Sequence, residues 1–353
     1  MKILSIVGAR PQFIKVAAIH RAMLKSNYLQ HFILHTGQHY DESLSEIFFT
    51  ELKIPKPHYH LKIKQDFASS VSEMQSEIEK IFKTENFDLV IVYGDTNSTL
   101  AGALAAKKYN LKLAHIEAGL RSYNNLMPEE FNRIETDKIS DLLFCPTANA
   151  VKNLKKEGPN KSRHTPILCG DVMLDAFNYY ADNNIEVTQP GKPFILCTLH
   201  REALLQTPEK LINVIDALNK INSIIPVLLP AHPALRRKII ELKLQTDFTI
   251  TEPVGYLKII TYLKACRLVI TDSGGLQKDA YFSKKICITL RDETEWTELV
   301  KAKVNFLAGD SSEKNILATF NKAVNNLSTF DGEFYGKGNA AEIIVKEIEN
   351  YLR

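Results

Sequence analysis

Short apolar runs alternate with helical patterns from one end of this chain to the other, and that alternation leaves few folds open to it. Apolar runs occupy 3–7, 31–35, 89–93, 112–116 and 142–145, then 167–168, 194–198, 227–229, 248–251, 268–270 and 286–290. Helical spacing fills 12–23, 71–82, 99–107, 208–222 and 257–264 between them. Strands that are apolar on both faces belong to a parallel sheet covered by helices on each side. The alternation runs twice, and 353 residues exceed the usual size of one domain. The expected fold is therefore α/β, two doubly wound lobes facing across a central cleft. The joint is expected near Cys169-Gly170-Asp171 or in the polar stretch 181–192, which has turn composition. Domains of 1–170 and 171–353 follow.

The bulk numbers exclude several function classes. A net charge of +3 is too small for a nucleic-acid or anionic-membrane partner. No apolar run reaches the length of a membrane span. Met1-Lys2 leads directly into the first run without a signal-peptide pattern. Five scattered cysteines, none in a C-x-x-C pair, read as buried reduced thiols of a cytoplasmic protein. No G-x-G-x-x-G follows the first strand, and phosphate-loop, H-E-x-x-H and zinc-finger spacings are missing, so neither a dinucleotide cofactor nor a metal is expected.

Ligands of doubly wound sheets bind beyond the carboxyl ends of the strands. Two strand ends there carry glycine turns that open helices: Gly8-Ala9-Arg10-Pro11, and Thr271-Asp272-Ser273-Gly274-Gly275. Unpaired amides at such junctions accept an anion, and two of them suggest one phosphate-bearing ligand held by both lobes. Other strand ends carry Asp95, Glu117, His200 and His232, with Glu129 and Arg133 close behind. Each also has a structural reading. Asp95 could cap the helix near 99, and Glu117 and Glu129 could be surface acids or partners of Arg121 and Arg133. His200 and His232 could be loop histidines, and Arg10 and Lys15 solvated helix charges. Convergence on strand ends is what favours a shared site.

With these residues in order, the chain resembles the non-hydrolysing UDP-N-acetylglucosamine 2-epimerases. The resemblance rests on Gly8-Ala9-Arg10-Pro11-Gln12-Phe13-Ile14-Lys15, Thr36-Gly37-Gln38-His39, Gly94-Asp95-Thr96 and His115-Ile116-Glu117-Ala118-Gly119-Leu120-Arg121. It continues through Pro128-Glu129-Glu130, Asn132-Arg133, Gly170-Asp171-Val172-Met173-Leu174-Asp175, His200-Arg201, the Thr271 turn, Arg291-Asp292-Glu293-Thr294-Glu295 and Tyr335-Gly336-Lys337-Gly338. It implies a glycosyltransferase-B-like fold of two Rossmann-like lobes, the last helix packing back on the first. It implies a homodimer acting on a UDP-sugar with no cofactor. The implied chemistry is elimination of UDP to 2-acetamidoglucal and re-addition, interconverting UDP-GlcNAc and UDP-ManNAc.

Asp95, Glu117 and Glu129 then match the catalytic carboxylates, and His200 the essential histidine. Arg10 and Lys15 match cationic contacts, Ser273, Gly274 and Gly275 the diphosphate turn, and Asp279 the acid at the ribose hydroxyls, where the family usually has Glu. Gln38, His39, Arg133, His232 and Arg291 match positions that contact substrate or a second, regulatory UDP-sugar site. The run His200-Arg201-Glu202-Ala203-Leu204 departs from the family's usual continuation and argues against such regulation. Trp296 after Glu295 resembles a subgroup that includes UDP-2,3-diacetamido-2,3-dideoxyglucuronate 2-epimerases.

Overall fold

The computed structural model describes residues 1–38, 49–61, 70–124, 126–158, 165–182, 193–200 and 202–353. His39, Arg201 and most of the stretch 181–192 lie outside the described residues. The chain divides into two compact units, Met1–Asn178 with Glu333–Arg353, and Tyr179–Gly332.

The first unit holds a seven-stranded sheet in the order β3-β2-β1-β4-β5-β6-β7. Its strands are β1 (Lys2–Val7), β2 (Gln30–His35), β3 (Tyr59–His60), β4 (Leu89–Tyr93), β5 (Lys112–Ile116), β6 (Leu142–Cys145) and β7 (Ile167–Leu168). Every pairing is parallel. All five residues of β4 are buried, as a strand covered on both faces requires. The covering helices include α1 (Arg10–Met23), α2 (Val71–Phe82), α3 (Asn97–Lys108) and α4 (Pro128–Ile139). Met74, Ile78 and Phe82 of α2 form its buried stripe, and they join a core with Leu4, Ile6, Val90 and Val92. The strand order reverses between β1 and β4, so the crevice for a ligand lies at their carboxyl ends. Gly8 to Arg10 follow one of these strands and Gly94-Asp95 the other.

The second unit holds six parallel strands in the order β10-β9-β8-β11-β12-β13. They are β8 (Ile195–Thr198), β9 (Val227–Pro230), β10 (Thr249–Thr251), β11 (Leu268–Thr271), β12 (Ile286–Thr289) and β13 (Asn305–Leu307). The order reverses between β8 and β11. Residues just after those strands are His200 and Asp272-Ser273. The two doubly wound lobes read from the alternation are thus present.

One polar chain crosses the first unit's core. Tyr93 and His31 both meet the Ser5 hydroxyl at 2.7 Å, and His31 Nδ1 lies 3.0 Å from His20 Nδ1. Two facing ring nitrogens share one proton, so at least one of the two rings must be neutral. Burial, with the charges of His20 and His58 adding, lowers His31 from 6.5 to about 3; burial also lowers His20. Between those values the unfolded chain binds more protons than the folded one. The contribution to stability is therefore complete above about pH 6.5 and is lost as pH falls toward 3. Thermal denaturation should show stability dropping by up to about 2 kcal/mol between pH 6.5 and 5. His31→Gln should flatten that slope, and an unchanged slope would remove the assignment.

Candidate active site

At the end of β1 the backbone turns into α1 with Ala9 as the cap and Pro11 in the first turn, where its missing N–H costs nothing. This turn corrects one expectation. The amides of Gly8 and Ala9 are not open to an anion, because the Gln12 side-chain oxygen accepts both, at 2.7 and 3.0 Å. The Gln12 amide group in turn donates to the Tyr93 carbonyl at 2.8 Å, locking α1 to β4. Nor is Lys15 a solvated helix charge. It is buried, and its Nζ lies 2.7 Å from Glu117 Oε1.

Gly94 ends β4 with a φ of +64°, and a Cβ built there would meet Lys15 Nζ at 3.2 Å and Glu117 Oε1 at 3.4 Å. The Lys15–Glu117 pair therefore lies directly on the turn that presents Asp95. Glu117 itself adopts φ +74°, a left-handed conformation that costs a non-glycine residue free energy and recurs at functional sites. Asp95 does not cap α3. Thr96 does, accepting the Thr99 amide at 3.3 Å. The Asp95 carboxylate instead accepts from Arg133 Nη2.

Arg133 lies on α4, one turn beyond Glu129. Glu130 accepts from Arg133 at 2.8 Å and from the Ser122 and Tyr123 amides, each at 2.9 Å, so the buried acid of this pair is Glu130. Asn132 donates to the Asp95 carbonyl at 3.0 Å. These bonds hold the start of α4, with Glu129 in its first turn, beside Asp95. An acid there also complements the helix dipole, which is the structural reading of Glu129. The first unit thus brings Asp95 and Glu117 to one end of its sheet, each paired with a buried cation, and Arg133 connects Asp95 to the helix whose first turn carries Glu129.

In the second unit, Ser273 caps the helix Gly274–Phe282, accepting the Leu276 amide at 3.4 Å. The first amides of a helix, here of Gly274 and Gly275, have no acceptor within it. The backbone amide of His200 donates to both oxygens of buried Asp272, at 2.9 and 3.0 Å, which ties the ends of β8 and β11 together. Nothing in the motif around Asp272 signals this tie, since its partner lies 72 positions away. Arg291 Nη2 lies 3.2 Å from Glu295 Oε2, and Glu295 Oε1 is 2.6 Å from a Cβ built on Gly274, so this pair overlies the helix start. Trp296 is buried and donates its indole N–H to the Gly274 carbonyl at 3.0 Å, with Lys278 Nζ 4.2 Å from its ring. Asp279, also buried, accepts from the Tyr256 hydroxyl at 3.2 Å.

Gln38 and His232 also have partners within the protein. Gln38 accepts from the Ser98 hydroxyl at 2.6 Å, and exposed His232 caps the helix Pro233–Glu241 through its ring. All five cysteines are free and buried, and burial raises every thiol, which removes them as nucleophiles. Among the described residues no group of three His, Cys, Asp or Glu could hold a metal ion.

Two parallel α/β lobes, with Asp95 at the switch point of one and a capped glycine turn at that of the other, offer strand-end sites for an anionic ligand. Residues 21–349 match the family model described as UDP-N-acetylglucosamine 2-epimerase. The UDP-2,3-diacetamido-2,3-dideoxy-D-glucuronate 2-epimerase of Pseudomonas aeruginosa is 46% identical over 352 residues, covering 98% of this chain and 99% of that one. The UDP-N-acetylglucosamine 2-epimerase of Methanocaldococcus jannaschii is 38% identical, covering 98% of both. A crystal structure of the M. jannaschii enzyme in complex with UDP-GlcNAc and UDP superimposes with a TM-score of 0.89 at 35% identity, covering 99% of this chain and 100% of that one. The chain belongs to the UDP-N-acetylglucosamine 2-epimerase family, isomerases with a glycosyltransferase-B-like fold.

Proposed function

We propose that the chain inverts C2 of a UDP-linked 2-acetamido sugar by eliminating UDP and adding it back. The observation that supports the proposal is the pairing of Glu117 with buried Lys15 and of Asp95 with buried Arg133 at one sheet end, Arg133 lying on the helix whose first turn bears Glu129. The C2 hydrogen is not adjacent to a carbonyl, so a base alone removes it poorly. Departure of UDP from C1 develops positive charge at the ring and acidifies that hydrogen. A 2-acetamidoglucal results; UDP returns to C1, and a proton is delivered to the other face of C2. Loss on one face and gain on the other requires acid–base groups on two sides.

In this reading Asp95, Glu117 and Glu129 move the protons, and Lys15 acts at the reacting sugar through Glu117. Arg10, His200, Arg291 and the Ser273-Gly274-Gly275 turn offset the charge of the departing diphosphate. Asp279 receives the ribose hydroxyls. Gln38 and His232 have structural partners, which supports an enzyme without a regulatory UDP-sugar site. Family resemblance supports a homodimer, to be read by light scattering. Five buried free thiols support a cytoplasmic setting.

Two substrates compete, UDP-GlcNAc (giving UDP-ManNAc) and UDP-2,3-diacetamido-2,3-dideoxyglucuronate. The 46% identity to the P. aeruginosa enzyme favours the second. Each nucleotide sugar is incubated alone with the protein and the products are separated. A C2-inverted, still UDP-linked product from either one bears the proposal out and names the substrate. Stoichiometric free UDP with free sugar would contradict it and indicate hydrolysis.

A further inference from the structure

His115 lies on the interior strand β5 and is fully buried. Its two ring nitrogens each meet an oxygen at 2.7 Å: Nε2 the Gly94 carbonyl, and Nδ1 the Asp137 carboxylate. A carbonyl oxygen only accepts. The Asp137 carboxyl is also an acceptor, since its other oxygen takes Arg121 Nη1 at 2.8 Å and the Gly119 amide at 3.1 Å. The buried Arg121 guanidinium, bonded to it at 2.8 Å, favours the accepting, ionised carboxylate. Both nitrogens of His115 thus face oxygens placed to accept.

The partners of this ring are the elements that present the three acids. Gly94 immediately precedes Asp95. Asp137 lies on α4, whose first turn carries Glu129. His115 shares β5 with the turn bearing Glu117, and Asp137 holds that turn again through the Gly119 amide. Each acid sits on a different element, and a shift of one against the others would misalign proton transfer. For the C2 epimerisation proposed above, on which this rests, we propose that His115, braced by Asp137, is a positioning residue. Its doubly donating ring ties together the elements that carry Asp95, Glu117 and Glu129.

His115→Gln can donate to only one of the two oxygens. It is expected to lower kcat by about 10- to 100-fold, since small misplacements of reacting groups carry such costs. KM for the UDP-sugar should stay within about threefold, because the diphosphate turn lies elsewhere in the chain. A folded variant with kcat within about twofold of the parent, or with the whole loss in KM, would overturn the proposal. Nitrogen-15 NMR of the histidine side chains reads the ring in the unaltered chain. Two protonated nitrogens for His115 at neutral pH support the proposal, and a single one overturns it whether or not the variant folds. If the parent itself inverts no UDP-sugar, the functional reading fails, while the NMR result still judges the ring.

Discussion

Glu117→Gln should lower turnover by about 10²- to 10⁴-fold, the usual contribution of a general acid or base. The substitution keeps the shape and removes the charge. Asp95→Asn and Glu129→Gln should each lose at least about 10²-fold on the same grounds. Glu117 carries the largest expectation because it combines a buried cation partner at 2.7 Å with a left-handed backbone. Leaving Lys15 buried without its partner also costs stability, so the rate must be measured on protein shown to be folded by circular dichroism. Steady-state turnover within threefold of the parent in all three variants would remove these acids from the chemistry.

Gly119→Ala should destabilise the first unit by about 3 kcal/mol. Gly119 has φ +79°, and a Cβ built on it would lie 2.5 Å from the Ala150 carbonyl oxygen, a backbone atom that cannot swing away. The left-handed conformation costs an L-residue about 1 kcal/mol, and overpacking adds about 2 kcal/mol. The Gly119 amide also bonds Asp137, so the strain falls on the turn that carries Glu117. Urea denaturation reads the loss as a lower midpoint at unchanged slope. A midpoint equal to the parent's would mean that the turn relaxes freely.

Much of the fold could be read from the apolar runs. Strands at Leu89–Tyr93 and Lys112–Ile116 lie where the runs are, because a strand buried on both faces is apolar at most of its positions. The strands Tyr59–His60 and Asn305–Leu307 were not legible. They are two and three residues long, sit at sheet edges, and exist through pairing with a neighbour rather than through a run of their own. At the site, the residue types at strand ends were legible, since topology alone places them there. Their partners were not. Lys15 meets Glu117 across 102 positions, and no local pattern encodes such a pair. The closure of the Gly8 and Ala9 amides by Gln12 depends on its side-chain conformation, which residue type alone does not dictate. His115 sits inside a run read only as strand, so its two polar partners left no trace in the periodicity.

The central claim is that the bond to hydrogen at C2 breaks while UDP is detached from C1. It is tested most directly by following UDP-GlcNAc and UDP-2,3-diacetamido-2,3-dideoxyglucuronate by proton NMR in D₂O with the native enzyme. The account predicts that the C2 proton signal of the accepted substrate disappears as deuterium enters from solvent, in both epimers at equilibrium. An inverted product that retains its original C2 proton, or a UDP-sugar bound without any exchange, would contradict it.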